Sequence, residues 1–157
     1  MTRISSTVWS QESFTLTNKT LSVSLCWGHF TFLHPGHIRF LTSARKESGL
    51  LCVAVSKSSS PSRYKEHAYS QQERVEALRL LGLIDHIILL DNDIPTVDWL
   101  NNLNLAHIYL GSEWKNPASI RKIQNIVDAY GDKIIYASGI VEYNSSDPVS
   151  YTHLRAH

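Results

Sequence analysis

Short apolar runs that alternate with helical segments leave few folds open to this chain. Runs of strand length fall at residues 21–26, 50–55, 86–90, 106–110 and 133–137. Between them, 36–47 carries Ile38, Leu41, Ala44 and Arg45 at helical spacing, and Val75, Leu78 and Leu81 make one face of a second helix. Ser70 stands three residues before Glu73, which predicts a capping box, and Gly82 is placed to end that helix. Residues 96–103 read as a short helix. Residues 117–130 read as a longer one, with Pro117 at its start and Gly131 just past its end. Most of the runs are continuously apolar rather than two-faced, as strands covered on both sides are. The expectation is an α/β fold: a parallel five-stranded sheet with helices on both faces and right-handed crossovers. Ligands bind such sheets outside the carboxyl ends of the strands. The loops that follow each run therefore hold the candidate functional residues.

A chain of 157 residues is long enough for one domain with a real core. Its 15 basic and 14 acidic side chains leave a net charge of +1 with no basic stripe, so no nucleic-acid partner is expected. No apolar stretch approaches the ~18 residues of a membrane span. Residues 1–20 are rich in Ser and Thr with no apolar centre, and read as a polar N-terminal extension rather than a secretory signal. Cys26 and Cys52 each lie inside an apolar run and read as reduced core residues, which fits a cytoplasmic protein.

The densest chemical signal is Gly28-His-Phe-Thr-Phe-Leu-His34-Pro-Gly36-His37, between the first run and the first helix. Gly28 and Gly36 carry no Cβ, so a ligand can approach the backbone there. A helix start adds free amides and the positive end of a dipole, both suited to phosphate. His34 and His37 stand at that opening, able to donate hydrogen bonds to phosphate oxygens and, if protonated, to meet charge that gathers in phosphoryl transfer. A lone histidine near a helix start is usually a cap. Two flanking Pro-Gly after a strand favour function.

This stretch resembles the H-x-G-H signature of the cytidylyltransferase-like nucleotidyltransferase superfamily, and within it the glycerol-3-phosphate cytidylyltransferases and the heptose-phosphate nucleotidyltransferase domain. Glu73-Arg74-Val-Glu-Ala-Leu-Arg-Leu-Leu-Gly-Leu-Ile-Asp85 resembles the family's second helix and turn. Leu110-Gly-Ser-Glu-Trp114 resembles its glycine-acidic-aromatic loop, and Asn144-Ser-Ser-Asp147 the element opening its last helix. The resemblance implies a Rossmann-like, HUP-type fold over residues 21–147. It also implies transfer of CMP or AMP from CTP or ATP to a phosphorylated sugar, polyol or alcohol, with release of pyrophosphate. It assigns His34, His37 and Lys65 to catalysis, with Arg63 able to take the place of Lys65. Gly28, His29, Phe30, Thr31, Gly36, Arg74, Gly111, Glu113, Trp114, Ser145 and Ser146 would bind nucleotide or phosphate. Mg2+ would be held mainly by the triphosphate rather than by a protein cage. A homodimer would suit a small sheet protein whose site lies near an edge.

Other readings stay open on the sequence. Pantetheine-phosphate or nicotinamide-nucleotide adenylyltransferases share the chemistry with a different acceptor, and a nucleotide-binding module or a fragment of a fused kinase–transferase would bind without turnover. Thr31 stands where close relatives often carry an acidic residue. Residues 149–157 resemble a translated sequencing adapter, so 148–157 reads as a non-native tail that truncates the last helix. His86 and His107 read as core or edge residues.

Overall fold

A computed structural model describes residues 3–31, 33–58 and 69–137, without the side chains of 112 and 113. The expected final helix and tail lie outside the described residues. The strands are β1 (Thr7–Ser10), β2 (Ser22–Gly28), β3 (Cys52–Val55), β4 (His86–Leu89), β5 (Asn104–Gly111) and β6 (Ile134–Ala137). The helices are α1 (Gln11–Thr17), α2 (Pro35–Ser48), α3 (Gln71–Leu81), α4 (Val97–Leu100), α5 (Pro117–Lys122) and α6 (Gln124–Tyr130). All strand pairs are parallel, in the order β1-β4-β3-β2-β5-β6.

The sheet thus has six strands where five were expected. The sixth is β1, from the segment read as a polar extension. It pairs Thr7 with His86 and Ser10 with Leu89. The Trp9 indole donates to His86 Nδ1 at 2.9 Å, and Phe14 of α1 is fully buried with its ring edge-on to both. The 117–130 helix is likewise two helices, because Ile123 turns out of helical geometry (φ −119°, ψ 22°) to sit fully buried. The capping box before α3 forms as expected: Ser70 Oγ accepts from the Glu73 amide and Glu73 accepts from the Ser70 amide. Gly82 closes that helix at φ 70°, a left-handed turn that glycine adopts without steric cost.

Two cores result, one per sheet face. Phe40, Leu41 and Ala44 of α2 and Val75 and Leu78 of α3 pack on Cys26, Val53, Val55, Ile87 and Tyr109. On the other face, Phe14, Leu100 of α4 and Ile126 of α6 pack on Leu25, Trp27, Cys52, Ala54 and Ile108. β2 lies between β3 and β5; the chain reaches β3 from β2 through α2 on one face and reaches β5 from β4 through α4 on the other. The chain therefore diverges at the carboxyl end of β2, where a crevice opens. Register aligns that edge: Gly28 pairs with Val55, and Val55 with Leu89.

Candidate active site

His34 is the N-cap of α2, and its ring takes part in the cap: Nδ1 accepts from the Gly36 amide at 3.0 Å. His37 Nδ1 accepts in turn from the His34 amide at 3.4 Å, which closes a capping box built from two imidazoles. The rings stack, with centroids 4.1 Å apart and planes inclined by 29°. A ring nitrogen that accepts an amide carries no proton, so in this network each ring holds its N–H at Nε2. The free amides expected at the helix start are also spent: Pro35 has none, the Gly36 amide goes to His34, and the His37 amide bonds the His34 carbonyl at 2.9 Å.

The loop before the histidines is held under strain. Phe30 has φ 52°, an uncommon value for a bulky side chain, yet is only 8% exposed. Its ring lies 5.8 Å from that of His37, and a Cβ on Gly28 would meet it at 3.2 Å. Gly28 thus admits the Phe30 ring, and Phe30 backs His37. Thr31 is buried.

Arg74 corrects an expectation. It is 2% exposed, and its guanidinium donates to the carbonyls of His29 (2.7 Å), Ser56 (2.8 Å), Lys57 (2.8 Å) and Tyr69 (3.2 Å). Four of its five N–H bonds are committed to backbone. Arg74 joins the loops after β2 and β3 to the start of α3 and does not face a phosphate as the resemblance implied.

Beside the histidine loop, the crevice forms a cleft of about 290 Å3. Trp27, Trp114 and Ile94 give it apolar walls, the two indoles meeting edge-to-face at 6.3 Å. Its polar lining comes from His29, Ser56, Ser58, Asp93 and Lys122. Asp93 accepts from the Ser58 amide (3.0 Å) and hydroxyl (2.7 Å), and these bonds, with His29 and Arg74 nearby, hold its carboxyl below the usual carboxylate range. His29 Nδ1 lies 2.7 Å from the Ser58 carbonyl.

Of the residues expected at the site, Gly28, His29, Phe30, Thr31, His34, Gly36 and His37 stand in one loop and helix start, with Trp114 across the cleft. Gly111 ends β5 and leads into the 3-10 turn carrying Trp114. Lys65, Arg63, Ser145 and Ser146 lie outside the described residues, as does the Glu113 side chain. Trp27, Asp93 and Lys122 were not singled out from the sequence. Trp27 and Asp93 occupy the end of a strand and the loop beyond one, the places the fold rule marks. Lys122 sits on a helix, where nothing in the sequence distinguishes it.

A parallel sheet that diverges at β2, with paired imidazoles at that point, defines a nucleotide-handling α/β protein. The profile of the cytidylyltransferase-like family matches residues 25–157, and the chain belongs to that family of nucleotidyltransferases. The bifunctional protein HldE of Hyphomonas neptunium is 30% identical over 118 residues, 73% of this chain and 24% of that protein. FAD synthase of Methanosarcina barkeri is 38% identical over 65 residues, 41% of this chain and 47% of that one. The chain thus spans about a quarter of the HldE protein and about half of the FAD synthase. The lipopolysaccharide core biosynthesis protein of Thermoplasma volcanium shares the fold at a TM-score of 0.58 and 22% identity, over 78% of this chain and 98% of that one. β1 and α1 precede the family match. No helix among the described residues is long and apolar enough to cross a membrane.

Proposed function

We propose that this chain transfers CMP or AMP from CTP or ATP to a phosphorylated sugar, polyol or alcohol and releases pyrophosphate. The acceptor's own phosphate oxygen attacks the α-phosphorus and the bond to the β-phosphate bridging oxygen breaks, so no covalent nucleophile is needed. What remains is positioning and charge stabilisation. The observation that carries the reading is the imidazole pair, held at Nδ1 in the cap of α2 and stacked ring on ring at the carboxyl edge of the sheet. The cleft beside it takes the acceptor. Its 290 Å3 sits at the small end of ligand sites, about 300–1,000 Å3, and suits a sugar or polyol rather than a nucleotide.

Lys65, Ser145 and Ser146 are assigned to the triphosphate by family resemblance. Among the described residues no three His, Cys, Asp or Glu side chains stand together to hold a metal. Mg2+ would enter on the triphosphate, where it neutralises phosphate charge. The resemblance to heptose-phosphate nucleotidyltransferase domains favours a phosphorylated sugar as acceptor, and likeness to an FAD synthase supports keeping adenylyl transfer beside cytidylyl transfer.

The test is pyrophosphate release from each of the four NTPs against sugar, polyol and alcohol phosphates. Turnover with CTP or ATP and one acceptor class, lost by a factor of roughly 10²–10³ in His37→Ala, is the expected result. Binding of NTP without pyrophosphate from any pair would instead identify a non-catalytic nucleotide-binding module.

A further inference from the structure

The described tryptophans differ in how their indole N–H groups are satisfied. Trp9 donates to His86 Nδ1 and Trp99 donates to the Gln11 carbonyl at 3.3 Å. Trp27 is 5% exposed, and its buried Nε1 meets no acceptor among the described residues. A buried donor without a partner destabilises a fold, and native proteins keep few of them. Phenylalanine would fill much the same space on β2 and pack on Trp114 without that penalty. Trp27 also lines the acceptor cleft, and its edge-to-face contact with Trp114 fixes the plane of the ring. The N–H is therefore a surplus donor on a side chain that lines the cleft.

We infer that Trp27 is a specificity-determining residue whose indole N–H donates to a hydroxyl of the acceptor, while Asp93 accepts from a second hydroxyl. This rests on the transferase reading given above. The two groups call for hydroxyls for complementary reasons. Trp27 can only donate, and Asp93, ionised and oriented by Ser58, can only accept. A polyhydroxylated body satisfies both at once. A phosphate placed beside Asp93 would be repelled, so the acceptor's phosphate points away from it, toward His34 and His37. A hydrocarbon or purely aromatic acceptor would leave both polar groups unpaired. A site built to bond a hydroxyl rejects the analogue that lacks it.

Trp27→Phe tests this by keeping the ring and removing the donor. With glucose 1-phosphate and sn-glycerol 3-phosphate as probes, the acceptor KM should rise roughly three- to tenfold while the NTP KM is unchanged and the melting temperature holds or rises. An unchanged acceptor KM would overturn the inference, because a purely structural indole moves stability rather than the acceptor KM alone. If the variant fails to fold, the wild-type chain decides. At least one single-deoxy analogue of glucose 1-phosphate, or 3-hydroxypropyl phosphate in place of sn-glycerol 3-phosphate, must show a raised KM; uniform KM values overturn it. The two failures look different. A wild-type chain that releases no pyrophosphate with any pair overturns the transferase reading and this inference together. Turnover indifferent to Trp27 and to acceptor hydroxyls overturns this inference alone.

Discussion

His34 closes the helix start with Nδ1, so an alanine substitution there would confound folding with the chemistry proposed for its ring. His34→Asn separates them. Asparagine is a strong N-cap whose oxygen can still accept from the Gly36 amide, but it has no Nε2 to reach a phosphate. The denaturation midpoint should stay close to wild type while kcat falls roughly 10²–10³-fold. Arg74 makes the opposite case. Arg74→Lys keeps a charge but not the planar fork, and strands most of the four carbonyls it now serves. A loss of about 3 kcal/mol in chemical denaturation is expected. The histidines were legible in sequence because their partners lie within three residues. Arg74 was not, since its carbonyls belong to residues 29, 56, 57 and 69, brought together only by the fold.

At the level of elements, the β1–α1 arm shows where a pattern reading stops. β1 has four residues, of which only Trp9 is half-buried, so no apolar run announces it. Its attachment is nonetheless substantial. Phe14 is fully buried, and Gln11 Oε1 accepts from the Asp91 amide at 2.6 Å, two residues before Asp93 of the cleft. Phe14→Ala should cost about 3–5 kcal/mol by urea unfolding, although the residue precedes the family match. The arm should also make stability depend on pH. His86 is partly buried and accepts from Trp9, and burial holds its pKa below the ordinary 6.5. Between that lowered value and 6.5 the unfolded chain binds more protons. Its contribution is complete above pH 6.5 and declines as pH falls toward the lowered value. His86→Gln should flatten that slope in unfolding curves measured from pH 5 to 7.5. The same local logic explains the 117–130 helix: its ends were readable from Pro117 and Gly131, but the break came from the core's demand for Ile123.

For the molecule as a whole, alternation of apolar runs and helices was enough to specify a parallel sheet covered on both faces, because burial on both sides writes itself into composition. Strand order and the sixth strand were not so written, since pairing partners leave no local mark. The cysteines illustrate the two-faced build. Cys26 and Cys52 lie on neighbouring strands but in opposite cores, so they face away from each other and form no disulfide. Burial raises both thiols, Cys52 to about 12 and Cys26 further. Neither should react with a disulfide reagent at pH 8 while the chain is folded, and both should react together on unfolding; rapid labelling of one would reveal local opening of its face.

The divergence of the chain at β2 carries a last implication. That opening is set by connectivity, before any side chain is chosen, so replacing Trp27, Asp93 or Lys122 re-tailors what is admitted without closing the doorway. In the proposed reading, donor handling is anchored separately, in the helix cap built by His34 and His37. On that reading, a scaffold divided in this way would exchange one acceptor for another while its grip on a triphosphate stayed the same.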